Sequence, residues 1–360
     1  MSLRLSQIAT RRELSRPAEN AHSRWLTRDA QLVTLESDSR RRGSGEAAPL
    51  PGFSRETLED CRRALSALYV RDLPEELAPE QSVLEELARA SRRLPDGVPA
   101  ARAALEAALL DLWARAADLP AWALLHADRA PPQPRRVAAL LMGEPESALE
   151  QARAARARGL TAFKLKVGRP GAIERELSAF AALRGELGPH VDLRLDANRA
   201  WPAHSARAQL QRFAVHEPEF VEEPCPLADL AALAPPPVRL ALDESLAEIS
   251  AHPRLPDEWN RWGVRAVILK PTLLGGISAC STWARVARAC GAEVILSHAF
   301  EGPLGLSLCA ALALTVGSER AAHGLDLDGA RLDRRQVAFF TGSQIEAWSE
   351  PGFGRVELEP

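Results

Sequence analysis

The chain has 360 residues, a formal net charge of −3 and 26% charged residues, a balance that gives no electrostatic basis for binding nucleic acid or an anionic membrane. Hydrophobic residues make up 46% of the chain, so a sizeable core can form, in two domains or in one large barrel with an addition. The five cysteines form no CxxC pair, so we expect reduced thiols. No apolar run is long enough to span a bilayer, and the N-terminus lacks the apolar stretch of a signal peptide. We therefore expect a cytoplasmic protein.

Residues 1–128 are predicted to form a separate α+β unit, because a strand pattern precedes helical ones. The predicted elements follow the chain as a strand, a turn with a glycine pair, and three helices: 25–35, 40–45, a helix starting near Ser54, Glu80–Arg92 and Pro99–Ala117. The proline-rich stretch 129–134 marks the end of this unit.

Short apolar strands alternate with helices between residues 129 and 330. The eight predicted strands are Val137–Leu141, Ala162–Lys166, Asp192–Leu195, Phe220–Val221, Arg239–Leu242, Ala266–Leu269, Glu293–Leu296 and Ala321–Leu325. Helical patterns separate most of them, at Pro145–Arg158, Ala172–Glu186, Ala203–Phe213, Ile277–Cys290 and Leu304–Leu314. This alternation predicts an α/β fold with a (β/α)8 TIM-type barrel. The alternative, a doubly wound open sheet, usually has a glycine-rich first turn, and the sequence contains no GxGxxG. Residues 331–360 form a predicted C-terminal segment that can also pack on the first unit.

Lysine is rare in this chain. Of the 45 Lys and Arg residues, only Lys164, Lys166 and Lys270 are lysine. Arginine serves as well as lysine on a solvated surface, but its high pKa prevents it from releasing and regaining a proton. The three lysines are therefore candidates for proton chemistry, although chance retention or a space too narrow for a guanidinium would also explain them.

Five consecutive predicted strands end in an ionisable residue. These residues are Lys166, Asp196, Glu222, Asp243 and Lys270. One such residue would more often be a helix cap, but in a barrel the active residues lie at the C-terminal strand ends, where these five would converge. Three unpaired carboxylates would repel one another, which implies a divalent cation, and oxygen ligands favour Mg²⁺ or Mn²⁺ over zinc.

Two opposed lysines beside a cation suit the removal of a proton next to a substrate carboxylate. The cation would hold the resulting enediolate while an amine carries the proton. Lys164 lies on the same strand face as Lys166, because side chains alternate with a period of two. We therefore predict Lys164, Lys166 and Lys270 as catalytic residues and Asp196, Glu222 and Asp243 as metal ligands.

The chain resembles the enolase superfamily, in its muconate-lactonising branch, and within that branch the o-succinylbenzoate synthases. The resemblance covers nearly the whole chain. The KxK motif and the acids define the branch, while the strings PLPGFS and RLDANRAW make the narrower match specific. The matching segments are Gly45–Ser54, Lys164–Gly168, Arg194–Trp201, Glu222–Cys225, Leu242–Ser245 and Lys270–Thr272.

The resemblance implies a barrel with an N-terminal α+β capping domain whose loops close over the barrel mouth. It implies a metal-dependent dehydration of 2-succinyl-6-hydroxy-2,4-cyclohexadiene-1-carboxylate to o-succinylbenzoate in menaquinone biosynthesis. Asp196, Glu222 and Asp243 would bind Mg²⁺, with Mn²⁺ as the alternative ion. Lys166 would take the α-proton and return it to the departing hydroxyl, and Lys270 would stabilise the enediolate.

Three further residues are predicted to bind substrate: Asn198, Ser297 and Gly302. The helix that starts near Gly302 would present its N-terminal amides to a carboxylate of the succinyl tail. The expected partner is a small carboxylate substrate, with no nucleic acid and no membrane, for a monomer or a homo-oligomer.

Two other functions stay open. An N-acylamino-acid racemase or dipeptide epimerase of the same superfamily would use Lys166 and Lys270 as opposed acid–base groups. Dipeptide epimerases hold a substrate ammonium with a DxD motif where this chain has Asp326 and Asp328, although a solvated turn is the favoured interpretation here. A non-catalytic binding barrel is disfavoured, because under such an arginine bias unused lysines would drift to arginine.

Overall fold

The computed structural model describes residues 2–20, 22–78, 80–126, 130–249, 256–337 and 339–356. The N-terminal elements are β1 Arg4–Glu19, β2 Arg24–Glu36, β3 Arg42–Ala47, α1 Leu58–Ser66, α2 Val83–Ser91, α3 Pro99–Ala116 and α4 Ala121–Leu125. The elements that follow, up to the middle of the sheet, are β4 Arg135–Arg136, β5 Ala138–Leu141, α5 Ala148–Ala157, β6 Ala162–Lys166, α6 Ile173–Leu187, β7 Asp192–Asp196, α7 Ala203–Ala214, β8 Val221–Glu222 and α8 Leu227–Leu230. The remaining elements are β9 Leu240–Leu242, α9 Glu244–Ile249, α10 Pro256–Trp262, β10 Val264–Leu269, α11 Pro271–Leu274, α12 Ile277–Ala289, β11 Glu293–Leu296, α13 Pro303–Thr315, α14 Leu327–Ala330 and β12 Gln344–Ile345.

The N-terminal strands form an antiparallel sheet in the order β1-β2-β3, and α3 packs across β3. The prediction that the glycine pair belongs to a turn at residues 40–45 is wrong, because Gly43 and Gly45 lie within β3. A Cβ atom at Gly45 would lie 2.0 Å from the carbonyl oxygen of Ala104 in α3. The glycine pair therefore permits close approach of a helix to a strand and does not reverse the chain.

The N-terminal helices lie close to their predicted positions, except for the start of the first helix. The first helix begins at Leu58 and not near Ser54, because Thr57 caps it. The Thr57 hydroxyl accepts from the Asp60 amide, and the Asp60 carboxylate accepts from the Thr57 amide at 2.9 Å. This reciprocal capping box satisfies two amide donors that would otherwise lack a partner at the helix start.

The second sheet has seven parallel strands in the order β5 to β11, with helices between them, which confirms the predicted barrel-type fold. The predicted eighth strand, Ala321–Leu325, is not a continuous strand in the described chain. Instead, His323 forms an isolated parallel bridge with Val137, and Gly324 forms one with Ser297. Val137 directly precedes β5 and Ser297 directly follows β11, the two outer strands of the sheet, so this extended segment lies between the two edges of the curled sheet.

The C-terminal segment returns to the N-terminal helices. The amide of Ala121 donates to the carbonyl of Gly352 at 2.7 Å, and the indole of Trp122 donates to the carbonyl of Trp348 at 2.8 Å. The Phe353 amide donates to the buried Asp111 carboxylate at 2.9 Å. The division of the chain at 128/129 and 330/331 stays a prediction. In the described part of the chain, every helix is too short or too polar to cross a membrane.

Candidate active site

The six residues predicted from the strand ends come together at one end of the parallel sheet. Lys164 and Lys166 lie on β6, and Asp196 and Glu222 are the last residues of β7 and β8. In register, Lys166 pairs with Asp196, and Asp196 pairs with Glu222. Asp243 and Lys270 directly follow β9 and β10. Neighbouring parallel strands thus deliver their charged ends to one place.

Lys164 lies between two of the predicted metal ligands. Its ammonium is 3.1 Å from Oδ2 of Asp196 and 3.1 Å from both carboxylate oxygens of Glu222. Burial alone would lower the pKa of Lys164, but the charges of Glu222 and Asp196 outweigh it and raise that pKa. Lys164 is therefore a fixed positive charge of the site.

Lys166, two residues further along β6, points to the same Asp196 carboxylate. Its Nζ is 2.5 Å from Oδ2 of Asp196 and 2.7 Å from Oδ1 of Asn198. Asn198 has φ of +43°, a left-handed conformation that turns its side chain back to the strand ends. Its Nδ2 donates to Glu244 at 2.8 Å, so the amide is oriented at both ends. The structure thus places the predicted substrate-binding Asn198 beside the predicted proton carrier.

Lys270 lies on the opposite side of the site and forms an ion pair with Asp243. Its ammonium also stands 5.2 Å from the centre of the Phe53 ring, within cation–π range. Burial alone would lower the pKa of Lys270, but the carboxylates of Asp243 and Glu222 outweigh it and raise that pKa. The two carboxylates therefore favour the charged form of Lys270, which suits stabilisation of an anion.

The acidic groups of the site are buried close to one another, which makes several negative charges there unfavourable. Burial, together with the charges of Asp196 and Asp243, raises the pKa of Glu222 well above its usual value. For Asp196 burial acts in the same direction, but the ammonium groups of Lys166 and Lys164 outweigh it and lower the pKa. Burial, with the charges of Asp243 and Glu223, raises the pKa of Glu244 to about 8. The cluster therefore gains stability from additional positive charge.

The donor set fits a divalent cation in atom type and in charge. Asp196, Glu222 and Asp243 are buried carboxylates on consecutive strands, and oxygen ligands of this kind suit Mg²⁺. Among the described residues, however, no three acidic, histidine or cysteine side chains are already arranged around one point for a metal. Lysine ammonium groups lie against these carboxylates instead. The three assignments as metal ligands stay predictions.

Glu223, next to a predicted ligand, positions the site without entering it. Its Oε1 accepts from the amides of Asp243 and Ser245 at 2.7 and 2.8 Å. Its Oε2 accepts from the Ser245 hydroxyl and the Arg199 guanidinium, both at 2.8 Å. Glu223 thereby fixes the turn that carries Asp243, which agrees with the expectation that Glu222 is the member of the pair facing the site.

The pocket over these groups has an apolar wall from the N-terminal domain. Trp25, Leu50 and Phe53 line it together with Ala299 and Phe300 from the loop after β11. Sequence reasoning did not assign these five residues to the site. Leu50 and Phe53 belong to the PLPGFS string, so the only signal for them was that motif. The other three have no pattern that separates them from core residues.

Two predicted substrate-binding residues differ in their placement. Ser297 lines the pocket, and its hydroxyl donates to the Gly324 carbonyl at 3.3 Å. Gly302 does not line this pocket, and its amide donates to the buried Glu46 carboxylate at 2.6 Å. The Gly305 amide donates to the same carboxylate at 3.0 Å. The prediction for Gly302 is therefore wrong, because a side chain of β3 already caps the start of α13.

The DxD motif lies away from the pocket lining. Arg158 pairs with Asp326 at 3.3 Å and with Asp328 at 2.6 Å. Asp326 is buried, and burial raises its pKa to about 6. The motif is therefore an ion-paired helix start, and neither carboxylate is among the residues that line the pocket.

Comparison with known families matches two parts of the chain. The family described as Enolase C-terminal domain-like matches residues 147–358, and the MenC N-terminal domain matches residues 21–82. The second match lies within the unit that carries Trp25, Leu50 and Phe53. Members of this superfamily typically use a divalent metal.

The chain is also similar to individual proteins. It is 30% identical over 350 residues to an o-succinylbenzoate synthase of Klebsiella pneumoniae, covering 93% of this chain and 91% of that protein. A muconate lactonizing enzyme from Pseudomonas fluorescens, solved with muconolactone, has a TM-score of 0.83 at 21% identity, covering 99% of this chain and 96% of that one. An N-succinyl Arg/Lys racemase from Bacillus cereus has a TM-score of 0.85 at 19% identity, covering 100% and 96%.

Proposed function

The chain belongs to the enolase superfamily, and from that premise we propose that it is an o-succinylbenzoate synthase of menaquinone biosynthesis. The reaction would dehydrate 2-succinyl-6-hydroxy-2,4-cyclohexadiene-1-carboxylate to o-succinylbenzoate. The observation that carries this proposal is the pair of lysines on opposite sides of one pocket with unequal surroundings. Each lysine is paired with a carboxylate, Lys166 with Asp196 and Lys270 with Asp243. Lys166 also donates to the amide of Asn198, whereas the ring of Phe53 covers Lys270.

Unequal surroundings favour a division of labour between the two lysines. In its amine form Lys166 would remove the proton from the ring carbon that bears the carboxylate, and the electron pair would move into an enediolate. The ring C–O bond would then break, and the same ammonium would give its proton to the departing hydroxyl. Water leaves, the ring becomes aromatic, and Lys166 returns to its amine form.

Lys270 would act by charge and not by proton transfer. Its ammonium is paired with Asp243 and would stabilise the enediolate from the side opposite Lys166. Phe53 covers this ammonium and lines the apolar wall on which a cyclohexadiene ring would lie. Mg²⁺ is the proposed cofactor, held by Asp196, Glu222 and Asp243; when bound, it would supply positive charge for the substrate carboxylate.

The racemase or epimerase alternative has weaker support. Structures with those activities resemble this chain at 19% and 23% identity, which shows a shared fold only. The carboxylates of the DxD motif are paired with Arg158 and do not line the pocket, which weakens the case that they hold a dipeptide ammonium. The curated relatives, by contrast, are synthases over 93% of the chain.

An assay of the purified protein with Mg²⁺ tests the assignment. The cyclohexadiene carboxylate is compared with a panel of N-succinylamino acids and dipeptides, following aromatic product by absorbance and α-proton exchange with deuterium by NMR. We expect dehydration to exceed exchange with every panel member in kcat/KM, and the Lys166→Ala variant to abolish it, which excludes a contaminating enzyme. Exchange on a panel member without dehydration would overturn the proposal, as would inactivity on all substrates.

A further inference from the structure

Arg28 of β2 joins the N-terminal domain to the barrel from behind the pocket wall. Its side chain is buried, and its guanidinium donates three hydrogen bonds to backbone carbonyls. Two acceptors, Ala48 at 2.6 Å and Pro49 at 3.0 Å, begin the loop after β3. The third, Phe300 at 3.2 Å, belongs to the loop after β11. One side chain therefore holds two loops from different parts of the chain.

Both loops supply residues to the pocket. The loop after β3 carries Leu50 and Phe53, and the loop after β11 carries Ala299 and Phe300. Phe53 lies over the Lys270 ammonium, and the ring centres of Phe300 and Trp25 are 6.0 Å apart. A change in the distance between the loops would therefore change the apolar wall and the cover over Lys270.

The chemistry of this position suits arginine specifically. A guanidinium presents five donors in a rigid fork, whereas an ammonium is a compact charge on a flexible stem. The carboxylates of Glu301 and Glu46 lie near enough to favour the charged form, although burial lowers the pKa of Arg28 overall. Without Arg28, the carbonyls of Ala48 and Pro49 would lose this donor, and that of Phe300 would keep only its bond from Arg12 at 3.0 Å. The two loops would lose a guanidinium that bonds to both, leaving Trp25, which donates to the Pro51 carbonyl and contacts the Phe300 ring.

We propose that Arg28 is a positioning residue for the proposed dehydration, on which this inference rests. Its guanidinium holds the loop of Phe53 and the loop of Phe300 at the separation that encloses the substrate ring. It touches neither the substrate space nor the catalytic lysines, because it is absent from the pocket lining. It acts through the two loops.

The test uses Arg28→Ala, Arg28→Lys and the matched control Arg11→Ala. Arg11 lies on the neighbouring strand β1 and forms an exposed ion pair with Asp29 at 2.6 Å. Hydrogen exchange measured by mass spectrometry, in peptides covering 48–54 and 298–302, reports how firmly Arg28 holds the two loops, independently of activity. We expect both peptides of Arg28→Ala to exchange at least about tenfold faster, since buried hydrogen bonds are lost. Arg11→Ala should match the parent protein.

Kinetics then show whether the reaction depends on Arg28 holding the two loops. For Arg28→Ala we expect KM for the ring substrate to rise by about tenfold or more, with a smaller fall in kcat, because the wall is loosened and Lys166 is untouched. Millimolar ethylguanidinium should restore much of the loss in Arg28→Ala and none in Arg28→Lys. Such rescue would not follow from a general loss of stability.

Each result decides one point. Unchanged exchange in both peptides, or faster exchange with unchanged kcat and KM, would overturn the inference. If Arg28→Ala does not fold, Arg28→Lys is measured in the same way and must show the same faster exchange. If the parent protein dehydrates nothing, the proposed function has failed. The same kinetic comparison, on whichever substrate the protein does convert, then tests the positioning role of Arg28 separately.

Discussion

The two faces of the pocket are built in different ways. The barrel supplies the lysines and acids at the ends of neighbouring parallel strands, such as Lys166 and Asp196 in direct register, and it also lines the pocket with apolar residues such as Ile268. The N-terminal domain supplies the large apolar side chains Trp25, Leu50 and Phe53, of which the last two lie on a loop, together with Glu19 and Asn20. Strands bonded on both sides hold charges to a narrow geometry, whereas a loop changes shape at lower cost. If the proposed function holds, we expect the proton chemistry to depend on the strand ends and the fit of the substrate ring to depend more on the loops.

The strongest test of this contrast lies within the barrel face. Lys166→Arg keeps the charge but cannot act as a base at neutral pH, so the dehydration rate should fall by at least about 10²–10⁴-fold. Lys270→Arg keeps the cation and should lose less, limited by the bulk of the guanidinium. Single-turnover dehydration rates of the two variants give the comparison.

Equal losses in the two lysine variants would indicate two acid–base groups, as in a racemase. An active Lys166→Arg enzyme would remove the proton carrier from the mechanism altogether. Arg153→Lys, which changes an exposed ion pair with Glu186 on the barrel exterior, is the matched control and should leave the rate unchanged.

Removal of one predicted ligand should be nearly as severe. Chelation should abolish activity and Mg²⁺ or Mn²⁺ should restore it, while Glu222→Gln should weaken Mg²⁺ binding by at least about 100-fold. Calorimetric titration of the chelated protein measures the affinity directly. Full activity after chelation, or an unchanged affinity in the variant, would contradict the assignment of Glu222.

A third change acts on the N-terminal domain without touching the pocket. Gly45→Ala places a Cβ atom 2.0 Å from a backbone oxygen of α3, so the protein should lose roughly 1–3 kcal/mol of unfolding free energy. Urea unfolding measures this loss. The control is Gly185→Ala in α6, where an added Cβ meets no atom within 4 Å and stability should stay equal or rise. Equal stability of both variants would show that β3 and α3 can separate freely.

The smallest effect is expected from the apolar face itself. Phe53→Leu keeps an apolar wall but removes the ring over Lys270, so kcat/KM should fall by about tenfold at most. Phe53→Tyr retains a ring and should lose less. A fall as large as that of Lys166→Arg would break the separation between chemistry and fit, because the wall would then take part in the proton-transfer step.

The barrel could be predicted because its strands are short apolar runs with charged ends. The bounds predicted for Ala162–Lys166 and Glu293–Leu296 agree with β6 and β11. The same pattern brought the lysines and acids together. Around Ala321–Leu325 the apolar run is present, but in the described chain its β-bridges involve His323 and Gly324 alone, so a pattern of residues alone overstates the strand.

The N-terminal domain was harder to predict because its decisive contacts join distant parts of the chain. Strand β1 was missed, since most of its residues are exposed or half-buried and its pairing depends on β2. Gly302 was assigned to the substrate because a helix start attracts anions, but Glu46, 256 residues earlier, supplies that anion. Local sequence signals show that a helix start needs a partner and do not show which partner it receives.

The return of the C-terminal segment to α3 and α4 has a consequence for synthesis on the ribosome. Translation delivers the N-terminal sheet and its helices first, but Trp348, Gly352 and Phe353, which complete the contacts of Trp122, Ala121 and Asp111, emerge after the whole barrel. The buried Asp111 carboxylate therefore lacks its Phe353 partner throughout elongation. The domain that is made first is the last to complete its packing, so a ribosome stalled before residue 348 would carry a nascent chain with an incomplete N-terminal core.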